Sequence, residues 1–176
     1  MSPTDFGPSE VTFVFSLSDR NDWRYGNAIA DAPVHDRHGV FRRVQEILGV
    51  QRLRTDQDLV TLVVEQRLSS RAIDSLRQSG LTDEEIYSLV VPRRTLTHRR
   101  ARREALSRDE SDRVVRIARV VALCEEVFAD RERSWRWLRA AKRQFQGRAP
   151  LQLLATEAGA RFVEELLCRI DEGMAA

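Results

Sequence analysis

The sequence predicts an all-α fold, and three observations carry that expectation. From Gly39 onward, apolar residues recur at helical rather than alternating spacing. Two boxes, Thr82-Asp-Glu-Glu85 and Ser107-Arg-Asp-Glu110, mark helix starts, because hydroxyl and carboxylate each accept a bond from an otherwise free backbone N–H. The strand candidate is Val11-Thr-Phe-Val-Phe-Ser-Leu17, a single segment without an evident partner and flanked by Pro3, Pro8 and Pro33; a loose arm reads equally well.

In chain order, Phe41, Val44, Ile47 and Leu48 share one helical face, and Gly49 offers a left-handed stop. Asp56 is placed as the cap of a second helix with Leu59, Leu62, Val63 and Gln66 on one side. Ser70 is placed as the cap of a third, running through Ile73 and Leu76 and ended by Gly80. The Thr82 box opens a fourth that buries Ile86, Leu89 and Val90. Pro92 stops it, since proline has no amide hydrogen and biases Val91 away from helical backbone.

The stretch Arg93 to Arg103 follows, with six arginines and no acid. Two short helices joined by a tight break, the second one cationic, have the layout of a helix-turn-helix. Leu96 is expected to face the core, with Ala101 near the packed side and Arg93, Arg94, Thr97, His98 and Arg100 outward. In that geometry Arg93, Arg94, Thr97 and His98 would reach base edges, while Arg99, Arg100, Arg102 and Arg103 would meet phosphates. A solvated face or a local acidic partner is the alternative reading of the same charge.

Bulk properties narrow the classes. The 176 residues suit one domain or two small ones, and 42% hydrophobic with 32% charged residues describes a folded, soluble chain. The 29 basic residues stand against 27 acids for a formal charge of +2; without the six arginines of Arg93 to Arg103 the remainder, 23 against 27, carries −4. A basic helix on an otherwise acidic chain suggests a polyanion, because Arg donates in a planar fork to phosphate and guanine. Lys142 is the one lysine, so arginine abundance alone says little. No apolar run approaches the roughly 20 residues of a membrane span. The opening Met-Ser-Pro-Thr-Asp lacks a secretion signal, and a cytoplasmic protein is expected. Cys124 and Cys168 have no metal-ligand spacing and read as core fillers; His35, His38 and His98 are scattered, with His98 read as an exposed polar residue. No nucleophile with an adjacent base and no Gly-rich phosphate loop is found, so neither catalysis nor a cofactor nor a metal is expected.

The Ser107 box opens a helix to about Ala129 that is apolar over most of its circumference, at Val114, Val115, Ile117, Ala118, Val120, Val121, Ala122, Leu123, Cys124, Val127 and Phe128. Such a helix either runs through the middle of the fold or supplies a dimer surface. Asp130 caps the next, where Trp135 pairs with Leu138 and Trp137 with Ala141, so the two tryptophans cannot enter one core. One is read as core and the other as lying at a domain edge, or one as lying on a partner surface. Gln146 to Pro150 form a turn, and Pro150 starts a short helix Leu151 to Ala155. Thr156 caps the last helix, expected to bury Phe162, Val163, Leu166, Leu167 and Ile170; Gly159 inside it suggests close backbone approach, and Gly173 ends it. From Pro150 on, two arginines face five acids, and this tryptophan-bearing end is read as acidic and repellent to nucleic acid.

Taken together, Arg94-Thr-Leu96, Leu106-Ser, Glu110-Ser-Asp-Arg113, Arg116, Ala118-Arg119, Val127-Phe128, Trp137-Leu138, Gly147, Pro150-Leu, Leu153-Leu154, Thr156-Glu-Ala-Gly159, Val163-Glu, Leu167, Arg169-Ile170 and Gly173 resemble the Xre/MbcA/ParS antitoxins over roughly Leu59 to Gly173. The resemblance implies an Xre-like helix-turn-helix domain followed by a small helical toxin-binding domain. It divides the chain into an N-terminal extension (1–50), the helix-turn-helix domain (51–106), a central helix and possible dimer element (107–129), and the toxin-binding domain (130–176). It further implies a chain that covers the active site of a RES-domain toxin acting on NAD and represses its own operon at promoter DNA, with a homodimer expected. Trp137, Leu138, Gly147, Pro150, Leu154, Thr156 and Gly159 would shape the toxin-binding domain, and Gly173 and Met174 would approach the toxin's pocket. Where members often carry Leu-Gly-Gly, this chain has Phe145-Gln146-Gly147. The alternative is a helix-turn-helix regulator without a toxin partner.

Overall fold

The computed structural model describes residues 37–173; the strand candidate at Val11 to Leu17, His35 and Met174 lie outside them. Within that span the fold is helical, with one isolated antiparallel bridge, Lys142 to Arg148. The helices are α1 (Arg37–Leu48), α2 (Asp56–Thr61), α3 (Arg71–Ser79), α4 (Asp83–Leu89), α5 (Arg93–Ala101), α6 (Arg108–Phe128), α7 (Arg131–Arg139), α8 (Pro150–Leu153) and α9 (Glu157–Asp171). A π-helical turn, Leu62–Gln66, extends α2, and a 3-10 turn, Arg143–Phe145, precedes α8.

α6 is the axis. Its 21 residues span about 30 Å at 1.5 Å each, and α1, α3, α7 and α9 pack around it. That explains its apolar circumference: Val114, Ile117, Ala118, Val120, Val121 and Cys124 are inaccessible to solvent. The helix runs through the middle of the fold. α1, which the resemblance leaves in an extension, belongs to this core through Val40, Phe41, Val44, Ile47 and Leu48, and Arg43 pairs with Glu125 of α6.

Helix starts follow local chemistry. Thr82 and Ser107 form the expected boxes with Glu85 and Glu110. The second helix starts differently: Thr55, not Asp56, is its cap, its hydroxyl accepting from Asp58 N while the Asp58 carboxylate accepts from Thr55 N. Ser70 has helical backbone and makes no side-chain cap, whereas Ser69 Oγ accepts from Arg71 N at 3.4 Å. Asp130 and Thr156 cap α7 and α9 as expected.

Four packing expectations are corrected. Gln66 is exposed and Val63 only half-buried, because the π turn rotates the end of α2 away from the core. Ala101 is exposed at the frayed end of α5, beyond reach of the face that Leu96 buries. Phe162 is 43% exposed; it precedes Val163, which takes the buried face of α9, and lies edge-on to Phe145 with ring centroids 5.1 Å apart. The short helix α8 runs Pro150–Leu153 rather than on to Ala155.

Candidate functional site

α4, the break Val90-Val91-Pro92 and α5 form one corner. Val90 and Val91 both donate to the Ile86 carbonyl, closing α4, and Leu96 N bonds the Pro92 carbonyl as α5 begins. The arginine-rich helix is held to the core by Leu96, which is 3% exposed. Arg93, Arg94, Thr97, His98, Arg100, Arg102 and Arg103 are exposed. Their freedom differs. Arg99 turns back under the helix to pair with Glu110 at 2.9 Å and Glu104 at 3.5 Å and to donate to the Ala105 carbonyl. Arg100 pairs with Asp74 of α3, and Thr97 Oγ1 donates to the Arg93 carbonyl at 3.0 Å. Among the described residues, Arg93, Arg94 and Arg103 have no carboxylate partner, and Arg102 only a distant one, Glu104 at 3.9 Å. The cations available to an external anion are therefore those at the two ends of the run, and Arg99 is an anchor between α5 and α6.

The carboxy-terminal unit is built differently. Leu138 and Leu154 are fully buried and Pro150 is buried, so these members of the resemblance set hold shape. Thr156 Oγ1 accepts from Gly159 N at 3.1 Å. At Gly159 a Cβ would lie 2.1 Å from the Leu153 carbonyl oxygen, which makes the close approach expected from its sequence position a steric fact. Gly147 is exposed in the turn, and Gly173 closes α9 with its N–H on the Ile170 carbonyl. The tryptophans part as their spacing requires. Trp135 is buried, its Nε1 donating to the Ser79 carbonyl at 3.0 Å; Trp137 is half-buried against Phe128, ring centroids 5.6 Å apart, with Lys142 Nζ over its face.

α7 also joins the two units. Arg131, Trp135 and Arg139, spaced i, i+4, i+8 along one face, donate to the carbonyls of Gln78, Ser79 and Gly80, where α3 ends and its dipole is negative. On the other side, Arg116 and Arg119 of α6 meet α9, through Glu157 at 3.0 Å and Glu164 at 2.7 Å. Glu164 is 2% exposed, and burial pushes its carboxyl above the ordinary range against the pull of Arg119. Burial pushes the Cys124 thiol up to about 12, so it stays protonated and acts as core volume.

The acidic reading of the tryptophan-bearing end needs correction. Residues 131–148 carry seven cations, Arg131, Arg133, Arg136, Arg139, Lys142, Arg143 and Arg148, against Glu132 alone. The acids lie further on, in α9, and Glu157 and Glu164 are consumed in pairs with α6. A charge count started at Pro150 missed this; one started at Arg131 would have found it.

Residues 61–119 match the family model of the Antitoxin Xre-like helix-turn-helix domain, and residues 124–173 match that of the Antitoxin Xre/MbcA/ParS C-terminal toxin-binding domain. Similar relatives include an Antitoxin Xre of Pseudomonas putida, 34% identical over 136 residues, covering 77% of this chain and 85% of that protein. An Antitoxin Xre of Yersinia enterocolitica is 32% identical over 85 residues, covering 48% of this chain and 57% of that protein. None of the described helices is long and apolar enough to cross a membrane. With an exposed cationic helix after a proline break and, bolted to it through α6 and α7, a second helical unit that matches a toxin-binding domain, this chain belongs to the Xre/MbcA/ParS antitoxin family.

Proposed function

We propose that this chain neutralises a RES-domain toxin acting on NAD by laying its carboxy-terminal domain over the toxin's active site, and represses its own operon through α5. The observation that carries the reading is the coexistence in one chain of a toxin-binding domain match and a helix-turn-helix whose cationic second helix is solvent-facing. Neutralisation of this kind needs coverage, on the order of 1,200 Å² of buried surface, and no chemistry from the chain itself.

In this reading residues 51–106 read DNA, 107–129 form the axis and 130–176 meet the toxin, in a cytoplasmic homodimer. Arg93, Arg94 and His98 reach base edges, with Thr97 beside them, while Arg102 and Arg103 meet phosphates and Arg100 does so by exchanging Asp74 for one; Arg99 positions the helix through Glu110. Gly173 and Met174 approach the toxin's pocket in the complex, and Trp137, half-buried in the free chain, adds to the contact.

Co-expression with the product of the adjacent gene tests both halves. Rescued growth, preserved cellular NAD and a co-purifying complex are expected, together with a shift of a promoter fragment that weakens as salt rises. A promoter shift without complex or rescue would favour the regulator that has no toxin partner.

A further inference from the structure

The toxin-binding unit carries an aromatic and cationic strip in which the family resemblance picks out Phe128 and Trp137 but none of Phe162, Arg133, Lys142, Arg143 and Arg148. At one end Phe128 and Trp137 lie 5.6 Å apart, with Arg133 5.3 Å from the first ring centroid and Lys142 Nζ 5.3 Å from the second. The Lys142 to Arg148 bridge then turns the chain, and Phe145 N bonds the Lys142 carbonyl. At the other end Phe145 meets Phe162, whose ring is 43% exposed on α9.

Charge on this strip is uncompensated. Among the described residues Arg133, Arg136, Lys142, Arg143 and Arg148 have no carboxylate partner, whereas Glu85, Glu157 and Glu164 are already paired with other arginines. Even the recognition helix leaves fewer cations fully unpaired. Exposed Phe162 at one end, half-buried Phe128 and Trp137 with Arg133 at the other, and unpaired arginines in the turn between them have the composition of a protein–protein hot spot, where aromatics and Arg are enriched. Duplex DNA fits it less well. A phosphate surface satisfies the cations but offers no apolar socket to a phenyl ring that leaves its own domain half open.

We propose that the toxin grips this domain through the strip, an apolar socket on the toxin receiving Phe162 while acidic side chains around that socket meet Arg143, Arg148, Lys142 and Arg133. This rests on the toxin-neutralising reading and adds the chemistry of the partner's mating face: an acidic-rimmed apolar pocket. Association is steered by charge, so its rate falls with salt.

The test uses the full chain and the purified product of the adjacent gene, with the binding rate and affinity followed at low and high salt. The variants are Phe162→Ser, the pair Arg143→Glu and Arg148→Glu, and Arg42→Glu, an exposed charge reversal on α1, as the control. All changed side chains are exposed, and circular dichroism and the melting temperature verify that each variant folds. The expected result is a loss of about 30-fold or more for Phe162→Ser and for the charge-reversed pair, a flatter salt dependence for the pair, and wild-type behaviour for the control. A folded pair and a folded Phe162→Ser that bind the toxin as wild type does overturn the strip while leaving toxin neutralisation intact. Loss of binding to a random duplex with toxin binding unchanged also overturns it and makes the strip a nucleic-acid surface. A wild-type chain that forms no complex overturns both.

Discussion

Arg139 of α7 grips Glu85 of α4 in a two-pronged pair, Nε to Oε1 at 2.7 Å and Nη2 to Oε2 at 2.9 Å. The same carboxylate oxygen, Oε2, accepts the Thr82 N–H at 2.8 Å and so closes the box that starts α4. The first helix of the helix-turn-helix and the tryptophan-bearing helix of the toxin-binding unit therefore share one acid. Arg139 also lies over the Trp135 ring, 4.7 Å from its centroid, which fixes the guanidinium in place.

Arg139→Ala is expected to cost about 1 kcal/mol, the range of a well-oriented but partly exposed pair. Urea denaturation checks it. Glu85→Ala should cost more, because it removes the ion pair and the cap together.

Acid should loosen the same joint. Burial raises the Glu85 carboxyl, but Arg139 and the Thr82 N–H outweigh burial and hold it below its ordinary value of 4.5. A carboxyl held low in the folded state contributes stability that is fully present above 4.5 and is lost as pH falls through its folded value. Denaturation midpoints should therefore drop below about pH 4.5, and less so in Glu85→Gln. An equal acid dependence in wild type and Glu85→Gln would show that other carboxylates dominate.

Arg119→Ala is expected to cost about 3 kcal/mol or more, because Glu164, 2% exposed, is left charged and alone or must take up a proton. Replacing both at once, Arg119→Met with Glu164→Leu, should return stability to within about 1 kcal/mol of wild type. A double-mutant cycle by thermal or chemical denaturation measures the coupling.

Gly159→Ala reverses the usual helix rule. In an open helix the change would stabilise by about 1 kcal/mol, but here the new methyl meets the Leu153 carbonyl oxygen at 2.1 Å. The expected outcome is a loss of about 3 kcal/mol or more, by overpacking against backbone, with toxin rescue lost alongside. Differential scanning calorimetry and growth rescue provide the readouts.

The arginines of the run Arg93 to Arg103 should separate into two kinds. Arg102→Ala with Arg103→Ala is expected to weaken binding to a promoter fragment and to lower the salt slope by about 2, near 0.9 per phosphate contact. Arg99→Ala should instead lower the melting temperature, since its partners Glu110 and Glu104 belong to the chain itself. An Arg99→Ala chain of unchanged stability and reduced slope would reassign Arg99 to DNA.

Much of the architecture is legible without coordinates. Capping boxes at Thr82 and Ser107, the stop at Pro92 and the apolar girth of α6 are local rules of hydrogen bonding and burial, and each holds in the fold. The misses are also local in origin. Asp56 and Thr55 are both good caps, and only backbone geometry chooses between neighbours. Phe162 is apolar and sits beside Val163, yet one step along a helix turns a side chain by about 100°.

The sequence by itself determined helix content, the proline-broken corner, the cationic run and the family, because all of these depend on residues near one another in the chain or on the pattern as a whole. Tertiary structure alone decided which charges are spent internally. Arg99 and Arg139 are chemically identical to Arg103 and Arg143; what separates them is whether a carboxylate from another helix lies within 3 Å, and here Glu110 and Glu85 do so for the first two only. Pairing across distant segments is a property of packing, and packing sets which arginines are left to face a partner.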